Sequence, residues 1–163
     1  MTYIFLDIDG VLNCDATTQR CMGFTGIDPE LVENLKYIVD QTGAEIILTS
    51  TWKYYWEPNG APGMDEMGKY LDRMLADAGL RITAMTEDSG LDRGQGISDF
   101  LMDNPADAWV VLDDIYFNDF SQFGIDQHLV LTCDDENGDA GLTKELAIQA
   151  VHMIEEQLIC EER

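Results

Sequence analysis

Basic residues are scarce in this chain: nine Lys and Arg stand against 32 Asp and Glu over 163 residues, a formal net charge of −23. No basic stripe is available to neutralise a phosphate backbone, so an extended nucleic-acid surface is excluded. The excess acid reads as a solvated surface. Histidine is scarcer still, with two residues, and the four cysteines (Cys14, Cys21, Cys133, Cys160) form no Cys-x-x-Cys pair. That argues against a zinc site, and the thiols read as reduced. No apolar run approaches the roughly 18 residues of a membrane span. The N-terminus lacks the basic lead-in and small-residue cleavage site of a signal peptide. The expectation is a soluble, cytoplasmic protein with no membrane partner.

What is present is enough for a core: 45% of residues are hydrophobic. The length suits a single domain over residues 1–163, with no internal repeat and no low-complexity linker. Apolar runs alternate with helical stripes. Residues 2–8 and 44–48 read as buried strands. Between them, Asp28-Pro29 supplies a cap and a first-turn proline for a helix carrying Leu31, Val32, Leu35, Ile38 and Val39, and Gly43 stops it. After a loop at 59–63, Met67, Tyr70, Leu71, Met74 and Leu75 stripe a second helix ending near Gly79. Residues 80–85 form a short strand. Ile97, Phe100 and Leu101 mark a short helix, and 108–112 and 128–132 two more strands. Thr143 caps a last helix. Continuously apolar strands alternating with helices predict a three-layer, Rossmann-like α/β fold around a mostly parallel sheet.

Ligands of such sheets bind at the carboxyl ends of the strands. Those ends carry Asp7 and Asp9, then Thr49-Ser50-Thr51, then Asp113-Asp114. Residues two apart on a strand share a side, so Asp7 and Asp9 face one site. Gly10 permits a sharp exit and a close backbone approach. Carboxylates gathered without a cation raise one another's pKa. Hard oxygen donors without His or Cys point to Mg²⁺, and the neighbouring hydroxyls to a phosphate. An EF-hand loop starting at Asp7 fails, because Gly10 comes too early and the twelfth position is Thr18. A phosphate also wants a fixed positive charge. Lys36, Lys69, Arg73 and Lys144 fall in helices, Arg81 opens a strand away from that edge, Arg20 lies in an irregular stretch and Arg163 at the terminus. Arg93, in the loop LDRGQGIS, and Lys53, directly after Thr49-Ser50-Thr51, remain.

These stretches carry a family resemblance. FLDIDGVLN resembles the first motif of the haloacid dehalogenase (HAD) superfamily of phosphohydrolases, EIILTSTWK the second and WVVLDD the fourth; DRGQGISDFL is a weaker match to the third. The motifs occur in order over most of the chain and look most like small cap-less members, including the HAD domain of RNA repair proteins. The resemblance implies a HAD-like fold and a Mg²⁺-dependent phosphohydrolase. It would cleave a phosphomonoester through an aspartyl-phosphate on Asp7, with Asp9 as general acid and base. Ser50, with Thr49 as the fallback, and Arg93, with Lys53 as its competitor, would hold the phosphate. Asp7, Asp114 and the Asp9 backbone carbonyl would hold Mg²⁺, with Asp113 as a further ligand or an orienter. The superfamily often has another acid four positions beyond the second acid of the fourth motif. Here that position is Asn118, with Asp119 next to it.

Segments 13–27 and 53–79 are too short for a folded cap, so an open site is expected. By family analogy it would take a nucleotide, a nucleic-acid end or another phosphomonoester. The alternatives are a non-catalytic acidic module that binds a cation or phosphate, and a phosphotransferase to an acceptor other than water. Trp52, Tyr54, Tyr55 and Trp56 read as core packing. Residues 133–142 read as a solvated acidic loop, and 14–21 as a flap beside the site with no disulfide.

Overall fold

The computed structural model describes residues 1–89, 91–136 and 138–161; Arg163 lies outside the described residues, as does Asn137 of the acidic stretch. In chain order β1 (Thr2–Leu6) leads into a small hairpin of β2 (Arg20–Cys21) and β3 (Phe24–Thr25), followed by α1 (Pro29–Thr42) and β4 (Glu45–Leu48). Then come α2 (Glu66–Ala76), β5 (Ile82–Met85), α3 (Arg93–Asp103), β6 (Ala108–Asp113) and β7 (Leu129–Leu131). A second hairpin of β8 (Cys133–Asp134) and β9 (Gly138–Asp139) precedes α4 (Lys144–Glu161).

Five strands form one sheet in the order β5-β4-β1-β6-β7, and every neighbouring pair is parallel. β1 is central, and the chain winds outward from it in both directions. That places the topological switch point at its carboxyl end. Side-chain alternation along the strands divides the core in two. Ile4, Leu6, Ile46, Leu48, Val110 and Leu112 pack with α1, α2 and α4. Tyr3, Phe5, Ile47 and Val111 pack with Ile97 and Phe100 of α3, and with Phe120 and Ile125 of the β6–β7 connection. Each such side chain contributes about 1.5–3 kcal/mol when fully buried. A one-residue slip would exchange the two sets, so the register is fixed by burial alone.

The helix ends follow their sequence signals. The Asp28 side chain accepts from Glu30 N–H, and Gly43, at φ 67°, closes α1 by donating to the Val39 carbonyl. Thr143 Oγ1 accepts from Leu146 N–H at the head of α4. Three details differ from expectation. The first strand stops at Leu6, because Val11 and Leu12 both donate back to the Ile8 carbonyl and turn the chain. Residues 133–142 contain the short β8–β9 hairpin, tied to the first loop where Asp15 N–H donates to Asp139 Oδ2 at 3.0 Å, with Asp135, Glu136 and Asp139 exposed as a solvated acidic stretch. Finally, α3 begins four residues before Ile97, so Arg93, Gly94 and Gly96 are helical. A Cβ on Gly94 would lie 2.8 Å from the Asp119 carboxylate, and one on Gly96 2.5 Å from that of Asp88. Two acids thus crowd the N-terminal turn, and the room they need outweighs the cost of about 1 kcal/mol per helical glycine.

No large cap is present among the described residues: 53–79 holds two short 3-10 turns and α2. No described helix is long and apolar enough to cross a membrane.

Candidate active site

The three strand ends meet at one edge. Asp7 N–H donates to the Leu112 carbonyl and Thr49 N–H to that of Leu6, which extends the ladder one residue beyond each strand. Asp7, Thr49 and Asp113 thereby continue the alternation of Phe5, Ile47 and Val111, and fall on the face that α3 covers. This is how Arg93, the first residue of α3, reaches them. Its Nη1 lies 2.6 Å from Asp113 Oδ2 and 3.1 Å from Asp7 Oδ1. The guanidinium also sits over the Phe117 ring, 4.4 Å from its centroid, and the residue is 4% exposed.

Asp7, Asp113 and Asp114 each present a carboxylate oxygen within 4.8 Å of the others. Fully ionised, they leave two negative charges that Arg93 does not balance. Burial pushes the Asp7 carboxyl well above the usual carboxylate range; the charges of Asp113 and Asp114 add to this, and Arg93 opposes it. Burial likewise raises Asp113 to about 6, against the pull of Arg93. A dense set of hard oxygen donors, destabilised as anions, suits a divalent cation. The fit extends to the backbone. Gly10 has φ 77°, and a Cβ there would lie 2.4 Å from Asp114 Oδ2, so only glycine leaves this carboxylate its place. Thr132 Oγ1 donates to the Gly10 carbonyl at 2.7 Å and fixes the turn.

Asp9 stands apart from that cluster. Its Oδ1 accepts from Asn13 Nδ2 at 2.9 Å and its Oδ2 from Trp52 Nε1 at 3.0 Å. The carboxylate lies exposed at the mouth of two clefts. One, of 460 Å³, is shared with Asp15, Arg20, Asp114 and Asp139; the other, of 340 Å³, with Phe24, Trp52 and Tyr55. Of the segment 14–21, expected as a flap, Cys14, Asp15, Thr17 and Arg20 line the larger cleft; beyond it, Phe24 and Thr25 of the β2–β3 hairpin line the smaller one, and Cys14 and Cys21 are free thiols.

The structure separates the paired alternatives. Thr49 Oγ1 is buried with no hydrogen-bond partner among the described residues, whereas Ser50 Oγ accepts from Trp52 N–H and caps a 3-10 turn. Lys53 is buried but turned from the carboxylate cluster, with Nζ 2.6 Å from Asp88 and 3.4 Å from Thr86 Oγ1. Burial lowers its pKa and the Asp88 pairing opposes this. Asn118 is exposed. Asp119 Oδ2 accepts from Gln95 N–H at 3.0 Å, so it caps the helix that carries Arg93 and does not join the carboxylates. The aromatic run splits: Trp52 and Trp56 are buried, Tyr54 and Tyr55 exposed.

Sequence reasoning missed Asn13 and Trp52 as partners of Asp9, and discarded Arg20, which lines the larger cleft. Asn13 closes a turn with its Oδ1 on Gly10 N–H, a signal legible in Asp-Gly-Val-Leu-Asn only once Asp9 is known to need holding.

A family model described as the HAD domain in Swiss Army Knife RNA repair proteins matches residues 3–147, from β1 into the first turn of α4. No curated protein and no solved structure matches the chain significantly.

Proposed function

The chain belongs to the family of HAD domains in Swiss Army Knife RNA repair proteins, and on that premise we propose that residues 1–163 form one cation-dependent phosphomonoesterase domain with Asp7 as nucleophile. The family supplies phosphohydrolase-type chemistry, a phosphorylated substrate and, typically, a divalent metal. The observation that carries the finer reading is the division between the two acids of the first motif. Asp7 lies in the buried cluster with Asp113, Asp114 and Arg93, while Asp9 is held outside it at the mouth of the clefts.

In the proposed reaction an Asp7 oxygen attacks phosphorus and the bond to the ester oxygen breaks. The leaving oxygen takes the proton carried by Asp9, which the Asn13 and Trp52 donors hold in position. Water then gives a proton to Asp9 and attacks the phosphorus of the aspartyl-phosphate. The bond to Asp7 breaks, releasing inorganic phosphate and restoring both carboxyls. Arg93 balances charge on the transferring group, and Thr49 Oγ1, with no partner of its own among the described residues, donates to a phosphate oxygen. Asp7, Asp113 and Asp114 would hold the metal, with Mg²⁺ the expected ion. Bound there, it would offset the charge of the phosphate and keep Asp7 ionised. A module that merely binds phosphate has no use for a second acid held at the cleft mouth, and this favours an enzyme.

The test is hydrolysis of an aryl phosphate with Mg²⁺ and with EDTA. Turnover is expected only with the metal. Asp7→Asn and Asp9→Asn each lower kcat by about 10³-fold or more, because groups that act as a unit fail together. Full activity in Asp7→Asn would sink the mechanism. Arg93→Ala is expected to cost far more kcat/KM than Lys53→Ala.

A further inference from the structure

From the geometry we infer that the 340 Å³ cleft beside Asp9 is a nucleoside pocket, with Phe24 and Tyr55 as the rings that hold the base of a mononucleotide. The inference rests on the phosphohydrolase reading, because it assigns the group leaving from phosphorus. The leaving oxygen must reach Asp9, and two clefts do. The larger one brings Asp114, Asp15 and Asp139 together, so an organic group there would compete with the cation and its carboxylates. The smaller one has no charged lining residue besides Asp9 among the described residues.

Its walls suit a flat ring with polar edges. Phe24, on the β2–β3 hairpin, is 65% exposed and Tyr55 is 43% exposed, so both rings are open to a ligand in the cleft. Neither stacks on another aromatic ring among the described residues, whereas the buried Trp52 is tilted against Tyr70. Thr25 and Thr51 add hydroxyls for ring edges or sugar oxygens. Base–aromatic stacking tolerates any base, because every base has a π-face. The volume is near the small end of ligand clefts, which run from about 300 to 1,000 Å³, and so fits one nucleoside. A net charge of −23 repels a polyanionic strand, which also favours a mononucleotide over the end of a long chain.

The test compares kcat/KM for adenosine 5′-monophosphate with that for ribose 5-phosphate, the same ester without the base. The nucleotide is expected to lead by about tenfold or more, and Phe24→Ala and Tyr55→Ala each to shrink that ratio by about fivefold or more. Phe24→Tyr and Tyr55→Phe keep a ring and should retain the ratio. A ratio near one in the unmodified protein overturns the inference, as does a parallel fall of both substrates in the alanine variants. A 5′-phosphorylated oligonucleotide turned over better than the mononucleotide overturns the choice of occupant. Adenosine alone, titrated against tryptophan fluorescence, separates the two readings. If no phosphate ester is hydrolysed but adenosine binds and Tyr55→Ala abolishes binding, the pocket stands and the enzyme reading fails. If aryl phosphate is hydrolysed but adenosine does not bind, the reverse holds.

Discussion

Asp9 shows how much of a role is set by a side chain's neighbours. It sits two residues from Asp7, yet its carboxylate is drawn away from the buried carboxylate cluster by two donors, Asn13 Nδ2 and Trp52 Nε1. Both bonds are 3.0 Å or shorter and together fix the rotamer. Acid–base catalysis is worth about 10²–10⁴-fold and depends on that position. Trp52→Phe and Asn13→Ala are therefore expected to lower kcat by about 10-fold or more with little change in KM. A rise in KM with kcat unchanged would reduce both residues to packing.

At the scale of an element, α3 is the part whose sequence is least helical and whose placement matters most. Gly94 and Gly96 open it, and Asp92 makes no side-chain cap. Asp119 supplies the cap from the β6–β7 connection through its bond to Gln95 N–H. Losing such a cap costs about 0.5–2 kcal/mol. Asp119→Ala should therefore lower the unfolding midpoint by a few degrees, at roughly 2–4 °C per kcal/mol for a chain of this size. Because Arg93 is the first residue of the helix, the same variant is expected to raise KM for the phosphate ester. Gly94→Ala should act alike, since its Cβ would meet the Asp119 carboxylate at 2.8 Å. Calorimetry together with steady-state kinetics checks both; a stability loss without a KM change would detach the cap from the site.

For the whole molecule, the sheet edge gathers more negative charge than its own cation balances. Folding raises Asp113 from 3.8 to about 6. Its folded form therefore favours the proton, and the stability this contributes is complete below about pH 3.8 and lost as pH rises through about 6. Asp7 shifts in the same direction. The metal-free protein is expected to weaken between about pH 4 and 6, and Mg²⁺, which binds the ionised carboxylates, should protect it increasingly over that interval. Thermal unfolding in EDTA and in Mg²⁺ across this range checks the sign. A Mg²⁺-induced shift that is constant with pH would contradict the assignment of the cluster as the metal's ligands.

The parallel sheet was readable in advance because burial on both faces writes continuous apolar runs such as Tyr-Ile-Phe-Leu and Trp-Val-Val-Leu. The acids and hydroxyls ending those runs are likewise visible, since polar residues tolerate a buried strand only where it stops. Helix limits were legible where a cap is local, as at Asp28 and Gly43. They were not legible at Arg93, whose helix is capped by Asp119, 26 residues further on. Nor does order along the chain distinguish Arg93 from Lys53 or Thr49 from Ser50. Strand alternation and the position of α3 set what each one touches, turning Arg93 to Asp7 and Lys53 to Asp88. The kinds of groups at the sheet edge are thus a property of the sequence. Which of them touch is a property of the tertiary structure, because the contacts join residues that only packing brings within a few ångströms.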